Sequence, residues 1–204
     1  MDLENDGYKT ITEPFGPVLF KEKKSKFIGY AFPLDSEGDV RPHIEGLRKK
    51  YPAANHVCHA WQIGVEEPRY RAQDDGEPNN SAGLPIYGQI QAFGVTNILI
   101  AVVRIFGGTK LGVGGLVSSY RTAAQMALEA STIMDKTVQQ LFELEFGYED
   151  MDRVMRSIKQ SQITLVSQTM TEKCGMTISV RKSESAKIED LFNAMYPVKI
   201  LKKK

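Results

Sequence analysis

The run "VTNILIAVVRIF" at residues 95–106 is the most apolar stretch of the chain. Between Gly94 and Gly107 it is aliphatic and β-branched, the pattern of a central strand buried in a sheet. With 204 residues and 42% hydrophobic composition, the chain has enough apolar material for a real core around that strand.

The flanking segments are mixed α and β. "YKTI" and "PVLFKEKKSKFIGYAFPL" alternate apolar and polar residues as two early strands, with the lysines of "KEKKSK" on a turn or edge. A helix follows, capped by Ser36 or Asp39, with Val40, Ile44, Leu47 and Tyr51 on one face and Pro42 in its first turn. "NHVCHAWQIGV" reads as a strand, and "EEPRYRAQDDGEPNNSAG" as a long loop, because turn formers and charges dominate it. Pro85 opens a short helix carrying Ile86, Ile90 and Phe93, and Gly94 ends it. After the central strand comes a glycine-rich loop and then a helix from about Leu116 to Ser131, whose Ala123, Ala124 and Ala127 allow close packing on the sheet.

Around Asp135 to Val138 the chain turns polar and a second pattern begins. "LFELEFGY", the helical face Met151, Val154, Met155 and Ile158, the strands "ITLVSQTM" and "GMTISVRK", the face Ile188, Leu191, Phe192 and Met195, and "VKILKKK" follow in order. That succession is the split βαβ, or ferredoxin-like, arrangement. The fold class is α+β, in two domains, residues 1–135 and 138–204.

Charge excludes a global attraction to nucleic acid or membrane. Twenty-six Lys and Arg balance 25 Asp and Glu, so any anion site is local. Cys58 and Cys174 stand far apart without a CxxC pair, against a zinc ribbon or a disulfide scaffold. The polar start "MDLENDGYKTITEPFG" has no signal-peptide core and no apolar run approaches the roughly 20 residues of a membrane helix. A cytoplasmic protein without membrane partners is expected.

Local chemistry concentrates in three places. "RIFGGTKLGVGGLVSSY" carries glycines from a strand into a helix, where free backbone N–H groups and the positive helix end favour an anion and Lys110 adds a charge. It is neither a Walker loop, since Lys110 precedes Gly112, nor a dinucleotide fingerprint, since Val117 stands where a third small residue is needed. "GVGGLVSS" is faintly similar to the glycine-serine loop of galactokinase-type kinases, and close packing alone is the competing explanation for its glycines. "DDGEP" groups Asp74, Asp75 and Glu77, candidates for acid–base or metal chemistry and equally good turn residues. "NHVCH" puts His56 and Cys58 on one strand face and His59 on the other, too few ligands for zinc, and Trp61 is expected in the core. "GMTISVRK" lacks the stacking aromatics of an RNA-recognition module.

Taken in order, "SKFIGYA", "NHVCHAW", "DDGEP", and "VVRIFGGTKLGVGGLVSSY" resemble the YigZ and IMPACT family over most of the chain. The resemblance implies a first domain like the second domain of a small-subunit ribosomal protein, with a left-handed βαβ crossover, and a second like the ferredoxin-like domain V of elongation factor G. Eukaryotic members regulate translation by competing for the activator of a starvation-sensing kinase, and bacterial members are suspected of binding nucleic acid or ribosomes. Ile105 stands where the family usually has an aromatic, and Asn79, Asn80 and Leu84 where Ser, Gly and a basic residue are common.

The expected function is therefore a non-enzymatic translation-associated regulator that binds RNA, the ribosome or a translation-regulatory protein. Its anion site comprises Arg104, Gly107, Gly108, Lys110, Gly112, Gly114 and Gly115, with no cofactor or metal. The alternative is an enzyme on a small phosphorylated or anionic substrate, using Asp74, Asp75, Glu77, His56 or His59. A proline-dipeptidase activity lacks a five-ligand metal set. Enzyme use requires the DDGEP loop, His56 or His59 and the glycine loop to line one pocket.

Overall fold

The computed structural model describes residues 6–203. The polar start at residues 1–5 and Lys204 at the end of "KILKKK" lie outside the described residues. Among the described residues no helix is long and apolar enough to cross a membrane.

Tyr8–Lys136 form one compact unit. In chain order its elements are β1 (Gly7–Ile11), β2 (Phe15–Glu22), β3 (Ser25–Pro33), α1 (Val40–Lys50), β4 (His56–Ile63), β5 (Arg69–Gln73), α2 (Gly83–Phe93), β6 (Ile98–Ile105), α3 (Gly112–Glu129) and β7 (Ile133–Thr137). Strands β2-β3-β6-β4-β5 make a five-stranded sheet, and β1 pairs with β7. As its apolar run demands, β6 is the central strand, and Ile98 to Val103 are fully buried. Its alternation serves two layers. Ile98, Ile100 and Val102 pack with Ile86 and Ile90 of α2 and with Tyr120, Ala123 and Ala124 of α3, while Ala101 and Val103 face Leu47 of α1.

Every neighbouring pair in the sheet is antiparallel. β3 and β4 are therefore parallel to each other across β6, and β5 and β6 are parallel across β4. The connection from β3 to β4 passes through α1 on one face. The connection from β5 to β6 passes through α2 on the opposite face, travels the other way across the sheet and joins two parallel strands that run opposite to β3 and β4. Three reversals invert the hand, so one of the two crossovers is left-handed, against the near-universal preference. The unusual crossover implied by the family resemblance is thus a consequence of this strand order and these helix faces.

Three local expectations are corrected. Arg69–Gln73, expected in a loop, is an edge strand paired with β4 from His59 to Ile63, because ladder pairing overrides a polar composition at an edge. α3 starts at Gly112, four residues before the apolar face at Leu116, so the last glycines of the loop are its first turn. The polar joint near Asp135 is strand β7.

The second unit runs from Thr137 onward and takes in Asp6 and Gly7. It contains β8 (Gln139–Phe146), α4 (Met151–Gln160), β9 (Thr164–Met170), β10 (Cys174–Arg181), α5 (Ser185–Asn193) and β11 (Lys199–Lys202), with sheet order β11-β8-β10-β9. This is the ferredoxin-like order. The helical faces read from the sequence bury Val154, Ile158, Ile188 and Phe192 against Phe142, Leu144 and Ile178. The buried Asp6 carboxylate accepts hydrogen bonds from Arg181 Nε (2.8 Å) and the Ser183 N–H (2.9 Å), which ties the chain start to this unit.

Candidate anion-binding site

Where β6 ends, the chain is pinned by its neighbours. The Phe106 N–H donates to Asn55 Oδ1 (2.8 Å) and the Gly107 N–H to Ser25 Oγ (3.1 Å). A Cβ at Gly107 would collide with the backbone of Lys24 and Ser25, so only glycine allows this approach. The contact lays the β2–β3 turn on the glycine loop, bringing exposed Lys23 and Lys24 of "KEKKSK" beside it. Gly108 (φ +89°) and Gly112 (φ +71°) adopt backbone conformations that favour glycine, whereas a Cβ on Gly114 would meet nothing within 4 Å. Close packing thus accounts for Gly107, but not for Gly114.

α3 begins without a side-chain cap and without an acidic residue in its first turn. Its leading N–H groups have no intrahelical acceptor and carry the positive end of an 18-residue helix. Beside it lies a cavity of about 450 Å³ lined by His56, Glu77, Arg104, Phe106, Lys110 and Val113, among others.

The DDGEP loop splits its three carboxylates among three tasks. Asp74 accepts the N–H groups of Asn80 (2.8 Å), Ala82 (3.0 Å) and Gly83 (2.8 Å), closing the loop onto the start of α2. Asp75, at φ +47°, accepts the Val57 N–H (2.6 Å) and pairs with Arg48. Its carbonyl takes a hydrogen bond from His56 Nδ1 (2.7 Å). A carbonyl only accepts, so Nδ1 carries the proton, and Nε2 stands 3.9 Å from Glu77 Oε1. Glu77 is the buried member, bonded by Arg104 and by the Tyr120 hydroxyl (2.8 Å). Cys58 Sγ lies within hydrogen-bond distance of the Asp74 carbonyl (3.0 Å) and of that hydroxyl (3.3 Å), and its single S–H can donate to either one. Burial pushes the Cys58 thiol and the Tyr120 hydroxyl far up, so Cys58 is an inert thiol.

His59 lies on the other face of the sheet, where burial lowers its pKa. There it shares a second cavity of about 430 Å³ with Trp61, Asp75 and Arg71. Trp61 is buried against Leu34, Val40 and Leu99, as expected of a core residue. The tertiary structure therefore unites His56 and Glu77 with the glycine loop, leaves Asp74 in a structural role and separates His59. Arg104 has its charge taken up by Glu77. Among the described residues no group of three or more His, Cys, Asp or Glu is arranged to hold a metal ion.

Asn55, Phe106 and Val113 are site residues that the sequence analysis did not select. Phe106 left a signal, an aromatic residue directly before Gly-Gly at the end of a buried strand.

The Impact N-terminal domain family matches residues 23–128, a span that holds both the DDGEP loop and the glycine loop. IMPACT family member YigZ of Escherichia coli strain K12 is 35% identical over 142 residues, 68% of this chain and 70% of that one. An IMPACT family member of Haemophilus influenzae is 33% identical over 161 residues, 76% of this chain and 77% of that one. In fold, the chain is similar to a crystal structure of a hypothetical protein, with a TM-score of 0.70 over 98% of both chains at 24% identity. On the family match and on these relatives, the chain belongs to the IMPACT family.

Proposed function

We propose that this protein is a translation-associated binding module whose N-terminal unit holds RNA phosphate at the start of α3. The observation that carries the reading is a convergence of positive groups: an uncapped helix N-terminus, Lys110 at a cavity mouth, and the Lys23–Lys24 turn seated on Gly107. Backbone N–H groups supply directed donors and the lysines supply charge, the combination that positions a phosphate backbone. The association with translation is what the resemblance to the family implies.

The test is co-sedimentation with ribosomes and total RNA across a salt series. Binding is expected to fall steeply with salt, and Lys110→Ala to reduce the slope of log affinity against log salt by about one. Pelleting that survives ribonuclease treatment assigns a protein partner instead. A protein that stays in the supernatant at low salt overturns the reading.

A second reading, an enzyme on a small anionic substrate, is supported by His56 and Glu77 lining the same cavity as Lys110 and Gly112. His56 Nε2 is the basic atom in that arrangement, held in its tautomer by the Asp75 carbonyl. Turnover of phosphoesters or nucleotides that His56→Gln abolishes would favour it, and a blank screen with folded protein would remove it.

A further inference from the structure

A phosphate needs donors and charge, and it has no use for a phenyl ring. Yet the cavity lining is largely apolar, and Phe106 remains 42% exposed at its edge. The ring is not loose. Its backbone is held by Asn55, and the Arg104 guanidinium lies 5.6 Å from its centroid, with the Phe27 ring at the same distance from that guanidinium. Arg104 lines the cavity with only 8% of its side chain exposed, and its Nε has no hydrogen-bond partner. A fixed, exposed aromatic ring four residues before Lys110 is a stacking surface beside a phosphate site. In the neutral ring His56 Nε2 adds an acceptor, suited to a base amino group or a sugar hydroxyl.

We infer that the occupant is a nucleotide with an unpaired base, stacked on Phe106 with its phosphate at Lys110 and the start of α3, and that it belongs to a single strand of RNA. The inference rests on the phosphate reading above and narrows it. Paired bases keep their faces inside the helical stack, so a duplex offers this ring nothing. A cavity of about 450 Å³ is of the size that takes one small-molecule unit.

The test is fluorescence anisotropy on the full chain with four probes: a labelled single-stranded RNA of about 12 nucleotides, the same RNA annealed to its complement, a base-free ribose-phosphate oligomer of equal length, and unlabelled mononucleotide as competitor. Phe106→Leu keeps an apolar side chain at a half-exposed position, and its unfolding midpoint confirms that it folds. The single strand is expected to bind at least tenfold tighter than the duplex or the base-free oligomer. Phe106→Leu should lose roughly tenfold for the single strand only, and Lys110→Ala should weaken all three. If the three oligomers bind alike and Phe106→Leu changes nothing, the stacking inference fails while the phosphate reading stands. Without salt-dependent binding to any probe, both fail. Displacement of the strand by an equal concentration of mononucleotide overturns the strand as occupant and assigns a free nucleotide.

Discussion

Glu77 is the carboxylate on which the site's architecture turns, and its removal has a calculable cost. Its side chain is 4% exposed and that of its partner Arg104 is 8% exposed, so Glu77→Ala leaves a guanidinium uncompensated in a dry environment and the Tyr120 hydroxyl without its acceptor. Breaking a buried ion pair from one side costs about 3–5 kcal/mol. For a unit of this size that lowers the midpoint by roughly 10–20 °C. Glu77→Gln keeps an oxygen acceptor for both partners and should cost less, about 1–3 kcal/mol. The assay is urea or thermal unfolding followed by fluorescence. Trp61, the chain's single tryptophan, is buried in the N-terminal unit, so the signal reports that unit alone. Arg104→Met removes the stranded charge, and in that background Glu77→Ala should cost clearly less than in the wild type. A Glu77→Ala loss below about 1 kcal/mol, or the same loss in both backgrounds, would refute a buried pair as the fastening of the DDGEP loop to β6.

Two glycines in one motif should respond differently to the same substitution. Gly107→Ala forces a methyl group into the Lys24 backbone and should destabilise the N-terminal unit, whereas Gly114→Ala, in open space within α3, should be neutral or stabilise by about 0.5–1 kcal/mol. Denaturant midpoints of the two variants check this, and equal effects would contradict it. In the second unit, the Ser183 N–H, with Arg181, holds the Asp6 carboxyl down to about 2. A lowered carboxyl stabilises above its ordinary value near 3.8 and loses that contribution as pH falls towards 2. Acid titration by circular dichroism should show this component in the wild type and not in Asp6→Asn; identical curves would count against it.

Periodicity made most elements legible. The apolar run at residues 95–106, the faces Val40, Ile44 and Leu47 or Val154 and Ile158, and the β-α-β-β-α-β order of the second unit are local patterns that burial enforces. The misplaced elements were those whose stability comes from partners distant in sequence. Arg69–Gln73 is a strand through its ladder to β4, and Ile133–Thr137 through its pairing with β1.

The site was legible as residue types but not as an arrangement. Composition and order alone determined a two-part α+β chain without a global charge bias, a glycine-lysine loop running into a helix, and a carboxylate-rich turn. Only the tertiary structure decided that, of those carboxylates, Glu77 is the buried partner of Arg104, that His56 and not His59 shares a cavity with Lys110, and that the turn of "KEKKSK" rests on Gly107 some 80 residues away. The physical reason is that hydrophobic alternation specifies which face of an element is buried, while contacts between loops depend on strand order, and strand order emerges only when the whole sheet is assembled.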